Sequence, residues 1–99
     1  MGQICVKTIK VPGKNRKHKV LLYTLSTCGW CKLAKKFCRD NEIEYEYIDI
    51  DLCSQEDRAE IRKDVQKRGG RFTYPIIIID DQILISGFHK DRLTEVLTS

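Results

Sequence analysis

The chain has 99 residues, of which 41% are hydrophobic and 32% charged, with a formal net charge of +4 at pH 7. That length suits one domain with its own core and no need of disulfide staples, and the balance is ordinary for a soluble globular protein. No apolar run reaches the length of a membrane span, and Met1-Gly2-Gln3-Ile4-Cys5-Val6 reads as neither a secretory leader nor a myristoylation signal. The expectation is a cytoplasmic monomer, in a compartment where thiols stay reduced.

In chain order, residues 4–11 alternate polar and apolar and predict a strand, which Pro12-Gly13 breaks. The basic run Lys14-Asn15-Arg16-Lys17-His18-Lys19 predicts a solvated loop. No aromatics interleave with it for stacking on bases, so nucleic acid is not an expected partner. Residues 20–25 are nearly all apolar, as in a central strand covered on both faces. A helix then begins around Cys28 and Cys31. Trp30, Leu33, Ala34, Phe37 and Cys38 recur at helical spacing and predict its apolar face, with lysines opposite, while Trp30 stays open between that face and an exposed docking aromatic beside Cys28. Asp40-Asn41 ends it, and residues 43–50 predict a third strand. Ser54 caps a second, mostly exposed helix whose apolar positions are Ala59, Ile61 and Val65; Gly69-Gly70 stops it. Residues 76–79, four isoleucines, predict a strand that Asp80-Asp81 turns into a hairpin with residues 82–85. Leu93, Val96 and Leu97 mark a short last helix. This order predicts an α/β mixed sheet with helices on its faces. Residues 1–99 read as one domain.

The chemistry centres on Cys28-Gly29-Trp30-Cys31. Five cysteines cannot all pair within one chain, and only these two are close in sequence. Cys5, Cys38 and Cys53 are expected to be buried free thiols acting as small hydrophobes. Two residues between cysteines at a helix start let the sulfurs close into a small ring, and the helix N-terminus lowers the pKa of the first. Cys28 is therefore the expected nucleophile and Cys31, one turn inside, the resolving thiol. Zinc fits poorly, because there is no second cysteine pair and His18 and His89 stand alone. No metal site is expected. Thr73-Tyr74-Pro75 precedes the isoleucine strand, and local sequence leaves its proline open between cis and trans.

Cys28-Gly29-Trp30-Cys31 after an apolar strand, Thr73-Tyr74-Pro75 before a hairpin, and Ser86-Gly87-Phe88 together resemble the glutaredoxin-like branch of the thioredoxin superfamily. The resemblance spans residues 20–98. It implies a thioredoxin fold, a mixed four-stranded sheet flanked by three helices, with residues 1–19 as an added N-terminal strand and basic loop. That strand must pair at an outer edge, beyond the strand holding Tyr45 and Tyr47. The resemblance further implies a cis Pro75 facing the two sulfurs and substrate contacts at Trp30, Thr73, Tyr74, Pro75, Gly87 and Phe88. Lys32, Arg71 and Lys90 would suit an acidic partner. Leu25 stands where glutathione-dependent members carry lysine, and His89 where they carry an acidic group, so glutathione is disfavoured. Ser86-Gly87-Phe88 is similar to the hydrogen-donor redoxins that serve ribonucleotide reductase. The implied activity is a thiol–disulfide oxidoreductase, reduced by a thioredoxin reductase or a ferredoxin-linked reductase and reducing protein disulfides. The alternatives are a glutathione-dependent glutaredoxin and, because Gly29 resembles cluster-binding members, a [2Fe–2S] carrier.

Overall fold

The computed structural model describes residues 8–98. Within them the order is β1 (Ile9–Val11), β2 (Val20–Thr24), α1 (Gly29–Asp40), β3 (Tyr45–Asp49), a single 3-10 turn (Ile50–Leu52), α2 (Gln55–Lys67), β4 (Ile76–Ile79), β5 (Ile83–Ser86) and α3 (Lys90–Leu97). The five strands form one sheet in the order β1-β3-β2-β4-β5. β2 and β3 are parallel, joined through α1, with Thr24 opposite Asp49 at the end of the register. The other pairs are antiparallel. The sheet is thus mixed, as expected, and β1 pairs with β3 at the outer edge, placing Ile9 opposite Tyr47. Cys5 lies outside the described residues, as does the first half of the expected N-terminal strand.

The four isoleucines of β4 are all buried and divide by alternation between the two faces of the sheet. Ile77 and Ile79 join Val20, Leu22, Ala34, Phe37, Leu93 and Leu97 beneath α1 and α3. Ile76 and Ile78 join Tyr23, Ile48, Ile61 and Val65 beneath α2. A strand packed on both faces has no need of polar positions, which is why this run reads as continuous hydrophobe.

α1 turns a different stripe inward from the one its spacing predicts. Cys31, Ala34, Phe37 and Cys38 are buried, whereas Trp30 is 62% exposed and Leu33 43% exposed. With the buried stripe centred on positions 31, 34 and 38, residues 30 and 33 fall on its solvent flank. Lys35, expected on the polar side, is partly buried against β3 through Asp49. In α2, Ile61 and Val65 are buried but Ala59 is exposed. Ser54 caps α2 as predicted, its hydroxyl accepting from the Asp57 N–H at 3.1 Å.

The basic run is not wholly loop. Asn15 forms a parallel bridge with Ile43, its N–H donating to Glu42 O at 2.8 Å and its carbonyl accepting from Glu44 N–H at 2.9 Å. Gly13 permits this close approach, since a Cβ there would lie 2.6 Å from Glu42 O.

Candidate functional site

β2 ends at Thr24, and residues 25–28 carry the chain to α1. One backbone bond closes this turn, from the Cys28 N–H to Leu25 O at 3.2 Å. Cys28 then serves as the N-cap of α1 in an extended conformation, its sulfur accepting the Cys31 N–H at 3.3 Å. Sulfur here does the work of a capping oxygen. The first turn of α1 holds no acidic residue, so the positive end of the helix is left to this sulfur.

The two cysteines differ sharply in surroundings. Cys28 is half-buried and Cys31 has no exposed surface. Burial, and then its hydrogen bond with Cys28, push the Cys31 thiol up to about 12. Cys31 is thus a protonated thiol at neutral pH, held beside an accessible sulfur. Cys38, one face down the same helix, is pushed up to about 12 by burial alone. It is the inert free thiol its position predicts. Cys53 corrects the expectation: it is only half-buried, at the end of the 3-10 turn, and is disulfide-bonded rather than free.

The second wall comes from far along the chain. The Tyr74–Pro75 bond is cis, which resolves the alternative the sequence leaves open, and Pro75 is fully buried. Tyr74, beside it, is half-buried, and burial raises its phenol above the usual value. The 86–88 loop is tied to this wall by the Gly87 N–H, which donates to Pro75 O at 2.7 Å. Gly87 has φ of +90°, a conformation that favours glycine. The loop also reaches α1: the Phe88 ring lies 6.4 Å from the Trp30 ring, tilted 31° to it. Trp30 of α1 is thus in ring contact with Phe88, and the loop that carries Phe88 is bonded through Gly87 to Pro75. Thr73 touches this loop through its methyl, 3.5 Å from where a Gly87 Cβ would stand.

The polar neighbours are arranged differently from one another. The Arg71 backbone is fixed by Ser86, whose hydroxyl accepts from Arg71 N–H and faces Arg71 O, both at 2.9 Å. His89 is exposed and folds back on its own loop, its Nε2 lying 3.1 Å from Ser86 O. Lys32 and Lys90 are exposed. Among the described residues no group of three or more His, Cys, Asp or Glu side chains is placed to hold a metal ion, and no helix is long and apolar enough to cross a membrane.

Sequence reasoning does not see the polar supports beneath the site. Thr24, fully buried, bonds Asp49 at 2.6 Å, and Lys35 reaches the same carboxylate at 3.5 Å while lying 3.8 Å over the Tyr47 ring. Ser26 bonds Asp51 through both its N–H and its hydroxyl. The signal for both is a shared offset of 25 residues, visible only once β2 and β3 are known to be parallel in this register.

Comparison with known proteins agrees with this geometry. Residues 20–84 match the family model for glutaredoxin. The chain is 34% identical over 64 residues to Glutaredoxin 1 of Rickettsia felis; the match covers 65% of this chain and 60% of that protein. It superimposes on the glutaredoxin of Methanosarcina mazei with a TM-score of 0.83 at 27% identity, covering 100% of both chains. It superimposes on the methanoredoxin of Methanosarcina acetivorans with a TM-score of 0.71 at 32% identity, covering 82% of this chain and 85% of that one. The architecture is a thioredoxin fold, and with Cys28 and Cys31 at the mouth of α1 the chain belongs to the glutaredoxin family.

Proposed function

We propose that the protein is a thiol–disulfide oxidoreductase that reduces protein disulfides through Cys28 and Cys31. The observation that carries the reading is the pairing of an accessible sulfur, capping a helix N-terminus, with a fully buried thiol one turn behind it. In the forward step the Cys28 thiolate attacks one sulfur of a substrate disulfide, and the other substrate sulfur leaves as a thiolate. Cys31 then gives up its proton and attacks the Cys28 sulfur of the mixed disulfide. The second substrate sulfur is released, and the two-electron oxidation is stored as a Cys28–Cys31 disulfide. Tyr74 and the 87–88 backbone are the surface on which an extended substrate segment lies, and Trp30 with Phe88 supplies an apolar patch beside it.

Electrons return from a protein reductase, either a thioredoxin reductase or a ferredoxin-linked enzyme, and ribonucleotide reductase is among the fitting targets. Two features support a protein donor over glutathione. Leu25 packs on the apolar cluster under α2 instead of offering a charge. His89, where an acidic group would be wanted, is engaged with Ser86 O. Such a carrier works in the reducing cytoplasm.

Reduction of insulin with dithiothreitol as electron source tests the activity. Cys28→Ser is expected to abolish turnover, and Cys31→Ser to accumulate mixed disulfides with substrate. Full activity in Cys28→Ser would sink the reading. Offering the oxidised protein glutathione, a flavin thioredoxin reductase and a ferredoxin-linked reductase side by side identifies the donor. Reduction by glutathione alone at a catalytic rate would replace the protein-donor reading with the glutathione-dependent one.

A further inference from the structure

The turn that presents Cys28 has little to hold it from within. Residues 25–28 are closed by one backbone bond, and a turn of that kind is compatible with several backbone conformations. The restraint comes from a different part of the chain. Ser26, inside the turn, donates its N–H to Asp51 Oδ1 at 2.8 Å and its hydroxyl to Asp51 Oδ2, so that both carboxylate oxygens are occupied. Asp51 sits in the 3-10 turn after β3, anchored by the buried Ile50.

The placement follows from the parallel register. Thr24 stands opposite Asp49 on β2 and β3, and their side chains are bonded at 2.6 Å. Two residues further along each chain, Ser26 meets Asp51. The two strands have ended by this point, yet their pairing is continued by side chains to within two residues of Cys28. Among the described residues no hydrogen bond joins Asp51 to either cysteine of the pair, and its hydrogen bonds to the active-site turn are those to Ser26.

We propose that Asp51 is a positioning residue for the Cys28 sulfur: by clamping Ser26 through both carboxylate oxygens it fixes the turn that seats Cys28 as the N-cap of α1. The clamp operates through geometry and against its own charge. A carboxylate close to the site disfavours a thiolate, whereas a correctly seated sulfur receives the Cys31 N–H and the positive end of the helix. Breaking the clamp and removing the charge therefore push Cys28 reactivity in opposite directions, and the sign of the change tells them apart.

The clamp is closed at neutral pH. The Ser26 hydroxyl first, and then its N–H, hold the Asp51 carboxyl below the usual carboxylate range, with Arg58 of α2 acting in the same sense. A carboxyl held low in this way keeps its bonds above about pH 4 and loses them as pH falls through the lowered value.

The test is the rate at which Cys28 is alkylated by iodoacetamide at pH 7, read on its own peptide by mass spectrometry. Asp51→Ala, which removes both acceptors, is expected to slow alkylation about threefold to tenfold, the scale of one ordinary hydrogen bond. Asp51→Asn can accept the Ser26 N–H and donate to its hydroxyl without carrying charge, and is expected to stay within about twofold of the wild type. An unchanged or faster rate in Asp51→Ala, or an equal fall in both variants, overturns the proposal. Melting curves accompany the rates; if Asp51→Ala fails to fold, Ser26→Ala removes the hydroxyl alone and is expected to slow alkylation about twofold, with no change again overturning the proposal. The proposal rests on Cys28 as the attacking sulfur. The peptide readout tests its seating regardless, while the insulin assay of Cys28→Ser decides whether it attacks.

Discussion

Strand β2 is fastened by side chains at both ends, but in different ways: to β3 at one end and mainly to the turn after β4 at the other. At the C-terminal end, beneath the cysteine pair, the tie is buried: Thr24 has no exposed surface and the Asp49 side chain is 16% exposed. At the opposite end the ties are open to water. His18 lies 2.7 Å from Asp80, Lys19 reaches Asp81 at 3.4 Å and Lys14 reaches Glu42 at 3.5 Å. The charges left over are the reverse of what the sequence suggests. The run from Lys14 to Lys19 is the densest block of cations in the chain, yet three of its side chains meet acids that the fold brings to them. Lys32, Arg71 and Lys90, scattered in sequence, have no ion pair within 4.0 Å among the described residues. Charge density along a chain is therefore a poor guide to the field an approaching partner meets. What counts is which cations the fold leaves unmatched.

The difference in burial can be broken directly. Thr24→Val keeps the shape of the side chain and removes the hydroxyl shared by Ile48 O and Asp49. Asp49 then keeps Lys35 but loses its shortest bond in a water-poor setting. A loss of about 1–3 kcal/mol is expected, the usual range for stripping a partner from a buried polar group. Urea unfolding would measure it. A change within experimental error would mean that the buried tie carries no more stability than the open ones.

The difference in unmatched charge is sharpened by reversal at each end. Arg71→Glu combined with Lys90→Glu is expected to raise KM for an acidic disulfide protein such as insulin about threefold to tenfold at low salt, with kcat little changed. Neither substitution alters a side-chain ion pair, and the Ser86 hydroxyl holds Arg71 by its backbone, which the variant keeps. Lys14→Glu combined with Lys17→Glu changes charge by the same amount at the far end and is expected to leave KM within about twofold. Added salt should narrow the gap between the two double variants. Equal effects from both would show that total charge, and not its placement, steers the partner.

Much of this was legible without coordinates, and the exceptions share a cause. Periodicity finds the described strands and α-helices, because most bury one stripe or, for β2 and β4, both faces. The glycine, proline and Ser54 boundaries hold because they act locally. Spacing alone leaves Trp30 open and misassigns Leu33, since a helical stripe can be centred on either flank of the same residues, and only packing on the sheet chooses Cys31, Ala34 and Cys38. The Thr24–Asp49 and Ser26–Asp51 contacts stay hidden because they span 25 residues and depend on a register that no local pattern encodes. Cys53 fails because hydrophobicity says nothing of whether a thiol is bonded. Cys28 and Cys31 are legible because their chemistry lies in short-range spacing, whereas local sequence leaves the Tyr74–Pro75 isomer open.

The smallest effect belongs to the open tie at the far end. Asp80 has φ of 55°, a left-handed conformation that asparagine also tolerates, so Asp80→Asn changes charge without adding backbone strain. The His18 contact first, and then the Lys19 N–H, hold the Asp80 carboxyl below its ordinary range. A carboxyl depressed on folding contributes stability above the ordinary carboxylate value, about pH 4, and that contribution disappears as pH falls through the lowered value. Asp80→Asn should therefore melt slightly below the wild type at pH 7, by less than Thr24→Val does, and the gap should close as the medium is acidified. Insulin reduction should be unaffected, because no bond connects this turn to residues 25–28. A gap that persists unchanged below the carboxylate range would trace the loss to packing of the turn and not to the Asp80 charge.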